Sequence, residues 1–208
     1  MTDRTNLPRF VVVSGGIGVG KSTLLPFLAS ELGVRPFPEL PDDNPYFGDE
    51  SRALACQQWF LRASIRDAAT AATHGGVLER MPLEHVEIFA RLQRDAGRLS
   101  TDDFASLHAE ALRSSVELRA PDCVIVVDAS LDVALGRIRH RHNQAEAAIT
   151  LDDLNIISSL YDRLLASWAH SPVIRIRSDT GAGPARVAES ALFSLREVLH
   201  EASGGHSP

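Results

Sequence analysis

The sequence predicts an α/β fold in which a doubly wound, five-stranded parallel sheet is covered by helices on both faces. Short apolar runs alternate along the chain with longer segments of helical periodicity, which is the pattern of parallel strands joined by crossover helices. Residues 15–22, GGIGVGKS, also match the G-x-x-x-x-G-K-[ST] pattern of a phosphate-binding loop between a buried strand and a helix. The 208 residues fit one P-loop kinase domain spanning 1–208.

Each element follows from its local pattern. The strands are predicted from apolar runs at 9–14, 34–38, 76–80, 123–127 and 173–176. Helices are predicted at 21–32, 51–73, 83–95, 102–118, from 130 into the basic stretch 137–142, and at 151–168 and 185–200. A proline-rich loop follows the second strand, and a short lid is expected at about 139–148. Residues 203–208 are expected to form a disordered tail.

The composition of the chain argues against two classes of partner, nucleic acids and membranes. Lys and Arg number 21 against 27 Asp and Glu, a net charge of −6, which argues against a broad basic face for nucleic acid. No apolar run approaches the length of a membrane span. Cys56 and Cys123 lie far apart in the sequence and lack the spacing of metal ligands. We therefore expect both to be buried free thiols in a reducing compartment. We expect a cytoplasmic protein with no nucleic-acid or membrane partner.

The glycine-rich loop indicates a site for a nucleoside triphosphate. Glycines allow successive N–H groups to curl around a phosphate, and the following helix adds its positive N-terminal dipole. Lys21 is expected to reach the β- and γ-phosphates and Ser22 to ligate Mg²⁺. ATP and Mg²⁺ are therefore the expected cofactors. The predicted nucleotide-binding residues are Gly15, Gly16, Ile17, Gly18, Val19, Gly20, Lys21, Ser22 and Thr23.

Three groups of charged residues fall where a parallel sheet places its ligands. They are Glu39, the pair Glu79-Arg80 and the arginines of residues 137–141. A kinase for a hydroxyl acceptor needs a base for the hydroxyl proton and cations for the phosphoryl group. Glu39 fits the base, and Arg80 fits a cation that pairs with Glu39 or with the phosphoryl group. Glu79 fits a second Mg²⁺ ligand, with Asp128 as the competing candidate. Two further cations, Arg137 and Arg141, are spaced four apart on one helix face.

These residues resemble the deoxynucleoside kinases of the deoxyadenosine/deoxyguanosine kinase type, and the resemblance covers most of the chain. The loop has the family's G-x-I-G-x-G-K-[ST] form with Ile17 in place. The other matching positions are Glu39 in a loose E-x-V context, Gln57 before Trp59-Phe60-Leu61, Glu79-Arg80 at the end of the third strand, Phe89 ten residues beyond Glu79, and Arg137, Arg141 and Glu146 in the lid.

The resemblance implies a role for each matched residue. Glu39 would be the catalytic base, Gln57 would read the base of a nucleoside and Phe89 would stack on it, while Glu146 would belong to the lid. The implied reaction is ATP-dependent phosphorylation of the 5′-hydroxyl of a nucleoside. The implied partners are a small-molecule nucleoside and a second copy of the chain packed through helices.

Several acceptor positions depart from the family's pattern. The tyrosine that contacts the sugar lacks a clear counterpart, and Tyr46 is the candidate substitute. His85 replaces an aspartate that reads the base, and Ser64 replaces the arginine that partners it. Met81 and Asn143 replace a serine and a lid arginine. Because the phosphoryl-transfer residues are kept while the acceptor residues differ, the sequence predicts a (deoxy)nucleoside or a modified nucleoside as acceptor.

Two other functions stay open at this point. A nucleoside-monophosphate kinase of the thymidylate-kinase type shares the sheet and loop, and Arg62, Arg66 and Arg80 would hold its acceptor phosphate. A nucleotide-binding regulatory module also shares the loop. The sequence contains neither a D-x-x-G after a strand nor an N-K-x-D element, which such switches use.

Overall fold

The buried strand β1, Phe10–Ser14, lies at the centre of a five-stranded sheet with the order β2-β3-β1-β4-β5. The computed structural model describes residues 9–141 and 143–204. The other strands are β2 (Pro36–Phe37), β3 (Gly76–Glu79), β4 (Cys123–Asp128) and β5 (Val173–Arg177). All four pairings are parallel. The predicted α/β class with an all-parallel sheet is confirmed.

Helices connect these strands and cover both faces of the sheet. They are α1 (Lys21–Leu32), α2 (Ala53–His74), α3 (Pro82–Glu84), α4 (Arg91–Asp95), α5 (Thr101–Glu117), α6 (Leu131–His140), α7 (Leu151–Ala166) and α8 (Pro184–Gly204). Three short 3₁₀ turns, Pro41–Asp43, Glu50–Arg52 and Gln144–Glu146, lie in the connections. None of the helices in the described part of the chain is long and apolar enough to cross a membrane.

The core has two layers because alternate residues of β1 point to opposite faces of the sheet. Val11 and Val13 belong to one apolar cluster with Leu28 of α1 and Leu195 of α8. Val12 packs on the other face, in a cluster that includes Ala68 of α2. Both faces of β1 are thus covered, which accounts for its uninterrupted apolar sequence.

Three details differ from the sequence-based expectation. The predicted helix at 83–95 contains a π-helical segment, His85–Ala90, between α3 and α4. The second strand has two residues, not the five expected at 34–38. The last helix spans Pro184–Gly204, longer than the expected 185–200, and so includes residues 203 and 204 of the expected disordered tail. Residues 205–208 lie outside the described residues.

The sheet order brings the predicted site residues to one edge. β3 lies between β1 and β2, so the carboxyl end of β3 at Glu79 adjoins both the loop after β1 and the segment after β2. The loop after β1 carries the glycines and Lys21, and the segment after β2 carries Glu39. The candidate site is built at this edge.

Candidate active site

The phosphate-binding loop owes its shape to glycines with positive φ. Gly15 has φ 131° and Gly18 has φ 76°. A Cβ on Gly15 would overlap the carbonyl oxygen of Val127, and a Cβ on Gly18 would overlap that of Ala134 in α6. The loop can therefore approach β4 and α6 this closely only without side chains at these two positions.

Lys21, the first residue of α1, is folded inward under the loop. Its Nζ donates to the carbonyl oxygen of Gly16 at 2.6 Å and lies 3.8 Å from Glu79 Oε1. Burial, together with the positive charge of Arg80, lowers the pKa of Lys21 to about 8, although Glu79 and Glu39 act in the opposite direction. The ammonium group is thus held beside the loop by one backbone oxygen and one carboxylate.

Glu79 connects the loop to the end of β2. Its Oε1 accepts a hydrogen bond from Ser22 Oγ at 3.0 Å, and its Oε2 accepts one from the backbone N–H of Glu39 at 3.4 Å. A hydroxyl and a carboxylate next to a phosphate-binding loop fit Mg²⁺, which takes few protein ligands and completes its shell with water and phosphate oxygens. Within the residues described, no cluster of three or more His, Cys, Asp or Glu side chains offers a metal site made of protein ligands alone.

Arg80 directly follows β3 and is buried in the site. Its φ of 66° makes it the single non-glycine residue with a left-handed backbone in the described part of the chain. Nε donates to Glu39 Oε2 at 2.9 Å, and the guanidinium lies 4.4 Å from the ring centre of Phe89. Burial opposes the charged form, but Glu39 and Tyr161 outweigh it, so the pKa of Arg80 is raised above its usual value. Arg80 is a permanent cation fixed beside Glu39.

A polar chain behind Arg80 was missed by the sequence reasoning. Arg80 NH1 donates to the hydroxyl of Tyr161 at 3.0 Å, and that hydroxyl donates to Glu84 Oε2 at 2.8 Å. Glu84 is fully buried. The available signal was a carboxylate between apolar residues shortly after a buried strand, where a buried charge needs a partner.

The acceptor side of the site is lined by aromatic rings and one amide. Gln57 on α2 is buried, and its Oε1 has no hydrogen-bond partner among the described residues. The rings of Phe60 and His85 are stacked, with centres 5.8 Å apart and planes inclined by 7°. His85 Nδ1 lies 3.7 Å from Glu39 Oε1. Burial, followed by the charge of Arg80, lowers the pKa of His85 to about 3, so the ring is neutral near pH 7.

Comparison with known proteins identifies the family. The sequence profile of the deoxynucleoside kinase family matches residues 11–189. The chain belongs to the deoxynucleoside kinase family. Members phosphorylate the 5′-hydroxyl of nucleosides with ATP, so this chain is a phosphotransferase with an alcohol acceptor. Membership favours a nucleoside kinase over the nucleoside-monophosphate kinase and over the regulatory module.

Individual relatives agree with this assignment. The chain is 29% identical over 202 residues to the deoxyadenosine/deoxycytidine kinase of Bacillus subtilis (strain 168), covering 92% of this chain and 93% of the relative. It is 32% identical over 190 residues to the deoxyguanosine kinase of Lactobacillus johnsonii, covering 81% and 82%. A solved structure of deoxyadenosine kinase from M. mycoides with bound dATP superposes with a TM-score of 0.75 at 20% identity, covering 90% of this chain and 99% of that one, and shows the same fold.

Two predicted arginines of the kinase lie in different surroundings. Arg137 NH1 donates to Ser178 Oγ at 2.8 Å and to the carbonyl oxygen of Val19 at 3.1 Å, which places its guanidinium against the outer side of the loop. Arg141 NH2 lies 3.1 Å from Glu146 Oε2 in the lid region. Their spacing predicts that both arginines lie on one face of the helix. In the structure, Arg137 contacts the phosphate-binding loop and Arg141 contacts the turn in the lid.

A cavity beside the loop adds a residue that sequence reasoning missed. It is lined by Gly20, Thr23, Arg137, Ser178 and Pro184, among others. Ser178 directly follows β5 and therefore lies at the same edge of the sheet as the loop. That position at a strand end was the one signal that could have pointed to Ser178. In this kinase the cavity adjoins the phosphate-binding loop.

The connection after β2 reaches the lid of the kinase. A Cβ on Gly48 would lie 3.3 Å from Cβ of Ala145, so the two segments are in close contact. Tyr46 lies in this connection, with its ring 4.8 Å from the guanidinium carbon of Arg52. Of the predicted lid, 139–148, residue 142 lies outside the described part of the chain, and Gln144–Glu146 form a 3₁₀ turn.

Proposed function

We propose that the kinase uses Glu39 as general base and Arg80 as the cation beside it. Transfer would proceed as the 5′-oxygen of the acceptor forms a bond to the γ-phosphorus, the bond from that phosphorus to the β–γ bridging oxygen breaks, and Glu39 receives the hydroxyl proton. The observation that carries this proposal is the Arg80–Glu39 pair, 2.9 Å apart, beside the phosphate-binding loop.

The donor half of the site would hold ATP through the loop. The N–H groups of residues 15–22 and the ammonium of Lys21 would bind the phosphates, and the cavity bounded by Arg137 and Ser178 would take the remainder of the donor. Arg137 and Arg141 are proposed to offset negative charge on the triphosphate. Arg137 is already fixed to the loop by its hydrogen bonds to Val19 and Ser178.

Mg²⁺ is proposed to be held by Ser22 and Glu79. Their side chains are 3.0 Å apart, Ser22 is exposed, and both lie beside Lys21. When bound, the ion would offset negative charge on the phosphates. Glu79 also orients the backbone of Glu39 through its second oxygen, so the same carboxylate would serve the metal and the base.

The acceptor is proposed to be a nucleoside whose base lies between Gln57 and the aromatic side chains. Gln57 Oε1, which has no hydrogen-bond partner in the described part of the chain, is available to a ligand donor, and Phe89 offers a ring for stacking. Tyr46 is proposed to contact the sugar and Glu146 to act with the lid. Because His85 is a neutral ring where the family carries a carboxylate, we propose that the preferred acceptor includes modified nucleosides or ribonucleosides.

The kinase is further proposed to be a cytoplasmic homodimer packed through helices. Leu112 and Val116, four residues apart on α5, are exposed although apolar, which supports a helical interface. Light scattering coupled to gel filtration would test it: a mass near twice the 22.6 kDa of one chain is expected. A mass equal to one chain at micromolar concentration would contradict the dimer.

A panel of acceptors with Mg·ATP tests the proposed function. It should contain the deoxynucleosides named for the relatives, the matching ribonucleosides, base-modified nucleosides and the corresponding monophosphates. We expect turnover of at least one nucleoside and a product phosphorylated at the 5′-position by ³¹P NMR. Turnover of monophosphates alone would refute the proposal, and equal turnover without a divalent ion would refute the role of Ser22 and Glu79.

A further inference from the structure

The buried chain Glu84–Tyr161–Arg80 has a defined direction of hydrogen bonding. Glu84 Oε1 accepts from the backbone N–H of Met81 at 2.9 Å, and Oε2 accepts from Tyr161. A tyrosine hydroxyl has one proton. Because the Tyr161 oxygen accepts from Arg80 NH1, its proton is directed to Glu84. Both oxygens of Glu84 are therefore acceptors, which is the arrangement of a carboxylate.

Arg80 needs support because its backbone is held in an unfavourable region. A left-handed φ costs a residue with a side chain about 1–3 kcal/mol unless the surroundings determine it. Ser64 Oγ donates to the carbonyl oxygen of Arg80 at 3.3 Å, and Glu84 fixes the next backbone N–H, that of Met81. The backbone is thus held on both sides of the peptide that follows Arg80.

The side chain of Arg80 is held from two directions as well. Glu39 accepts from Nε on the side of the site, and Tyr161 accepts from NH1 on the side of α7. Without Tyr161, the guanidinium could rotate about its terminal bonds while keeping the contact with Glu39. Without Glu84, the Tyr161 proton would lack its acceptor and could rotate toward Arg80, where it would oppose the hydrogen bond from NH1.

We propose that Glu84 and Tyr161 are positioning residues that fix the Arg80 guanidinium for phosphoryl transfer. Both act through Arg80, Tyr161 by accepting from its NH1 and Glu84 by accepting from Tyr161. This inference rests on the proposed role of Arg80 in the reaction. It also joins α7, which follows the lid, to the end of β3, because the bond between Tyr161 and Arg80 connects residues 81 positions apart in sequence.

The test uses three variants of the full-length kinase: Tyr161→Phe, Glu84→Gln and the double variant. Each single change is expected to lower kcat about 10- to 100-fold, while the KM values for ATP and acceptor stay within about twofold, because positioning of a charged group acts in the transition state. The double variant is expected to lie within about threefold of the slower single variant, because the two residues act as one unit.

The matched control is Ser114→Ala. Ser114 is buried, and its hydroxyl donates to the Ala111 carbonyl oxygen at 2.7 Å within α5. Removing it deletes a buried hydroxyl outside the chain from Glu84 to Arg80, so kcat should stay within about twofold of wild type. If Glu84→Gln fails to fold, Tyr161→Phe, which removes one oxygen, decides the question. A Tyr161→Phe enzyme that is folded and has wild-type kcat would overturn the proposal.

A second readout does not depend on turnover. In ¹⁵N NMR spectra, with the Arg80 signals assigned through Arg80→Lys, separate guanidinium signals from restricted rotation are expected in the wild type and averaged signals in Tyr161→Phe. Unchanged Arg80 signals would overturn the positioning role. If the wild type phosphorylates no acceptor, the proposed function fails, and these spectra still decide whether Tyr161 fixes Arg80.

Discussion

Arg80 Nε lies 2.9 Å from Glu39 Oε2, and this pair joins the ends of two neighbouring strands, β2 and β3. Arg80 is almost wholly buried, whereas the side chain of Glu39 is 17% exposed. The carboxylate is therefore the member of the pair that an acceptor hydroxyl can reach. Glu39 Oε1 remains outside this hydrogen bond, with His85 Nδ1 at 3.7 Å.

Glu39→Gln tests the base directly. The amide retains the size of the side chain but cannot accept the hydroxyl proton, so kcat is expected to fall about 10²- to 10⁴-fold. ATP affinity should change little, because the loop and Lys21 are untouched. Steady-state kinetics and ATP titration measure both quantities. Glu110→Gln on α5, which alters a partly exposed ion pair with Arg62 of α2, is the control and should keep wild-type kinetics. Retained turnover in Glu39→Gln would remove Glu39 from the base role.

Gln57→Ala separates recognition of the acceptor from catalysis. Because Gln57 Oε1 is buried without a partner among the described residues, a ligand donor would gain a hydrogen bond there. The acceptor KM should rise about tenfold, with kcat and the KM for ATP within about twofold of wild type. Gln58→Ala, at the next position of α2 and half-buried, is the matched control. Equal acceptor KM values in both variants would make Gln57 a structural residue.

The sequence was sufficient for the parts of the site that depend on strand order. Glu79 ends a strand, Glu39 and Arg80 follow strands, and parallel strands end at one edge of a sheet, so their proximity could be predicted. The loop motif placed Lys21 and Ser22 for the same reason. The hydrophobic period of a segment shows whether it is a strand or a helix, and the end of the pattern shows where that element stops. These two properties are sufficient to place the residues.

Other parts depend on contacts between distant residues and on backbone geometry. Arg137 contacts Ser178, which is 41 positions away, so helical spacing alone could not assign its partner. The π-helical segment His85–Ala90 requires a shift in backbone hydrogen bonding that side-chain periodicity does not record. The left-handed φ of Arg80 and the buried bond between Tyr161 and Glu84 likewise arise from tertiary packing.

Gly18→Ala tests the fit of the phosphate-binding loop against α6. A methyl group at this position would overlap the Ala134 carbonyl oxygen and would need a strained φ. The free energy of unfolding should fall by about 2 kcal/mol or more, and ATP binding should weaken as the loop shifts. Denaturant titration and ATP titration give the two values.

The matched control for Gly18→Ala is Gly136→Ala in α6. Gly136 lies in the same helix that the loop contacts, but a Cβ there would meet nothing within 4 Å. Alanine at a helical position that accommodates it should raise the free energy of unfolding by about 0.5–1 kcal/mol. Equal effects of the two substitutions would show that the loop does not need glycine at position 18.

His85 makes the stability of the protein depend on pH. Burial and the charge of Arg80 lower its pKa to about 3 in the folded state, below the value of 6.5 for an exposed histidine. Between these values the unfolded chain binds a proton that the folded protein excludes, so stability falls as pH falls. From pH 7 to pH 5 this group should remove about 2 kcal/mol from the free energy of unfolding.

His85→Phe keeps a ring against Phe60, and its free energy of unfolding should fall correspondingly less over the same pH range. The control is His74→Asn at the exposed last residue of α2. Its free energy of unfolding should fall as much as that of the wild type. Urea titrations at the two pH values measure the difference, and identical losses in wild type and His85→Phe would contradict a neutral buried His85.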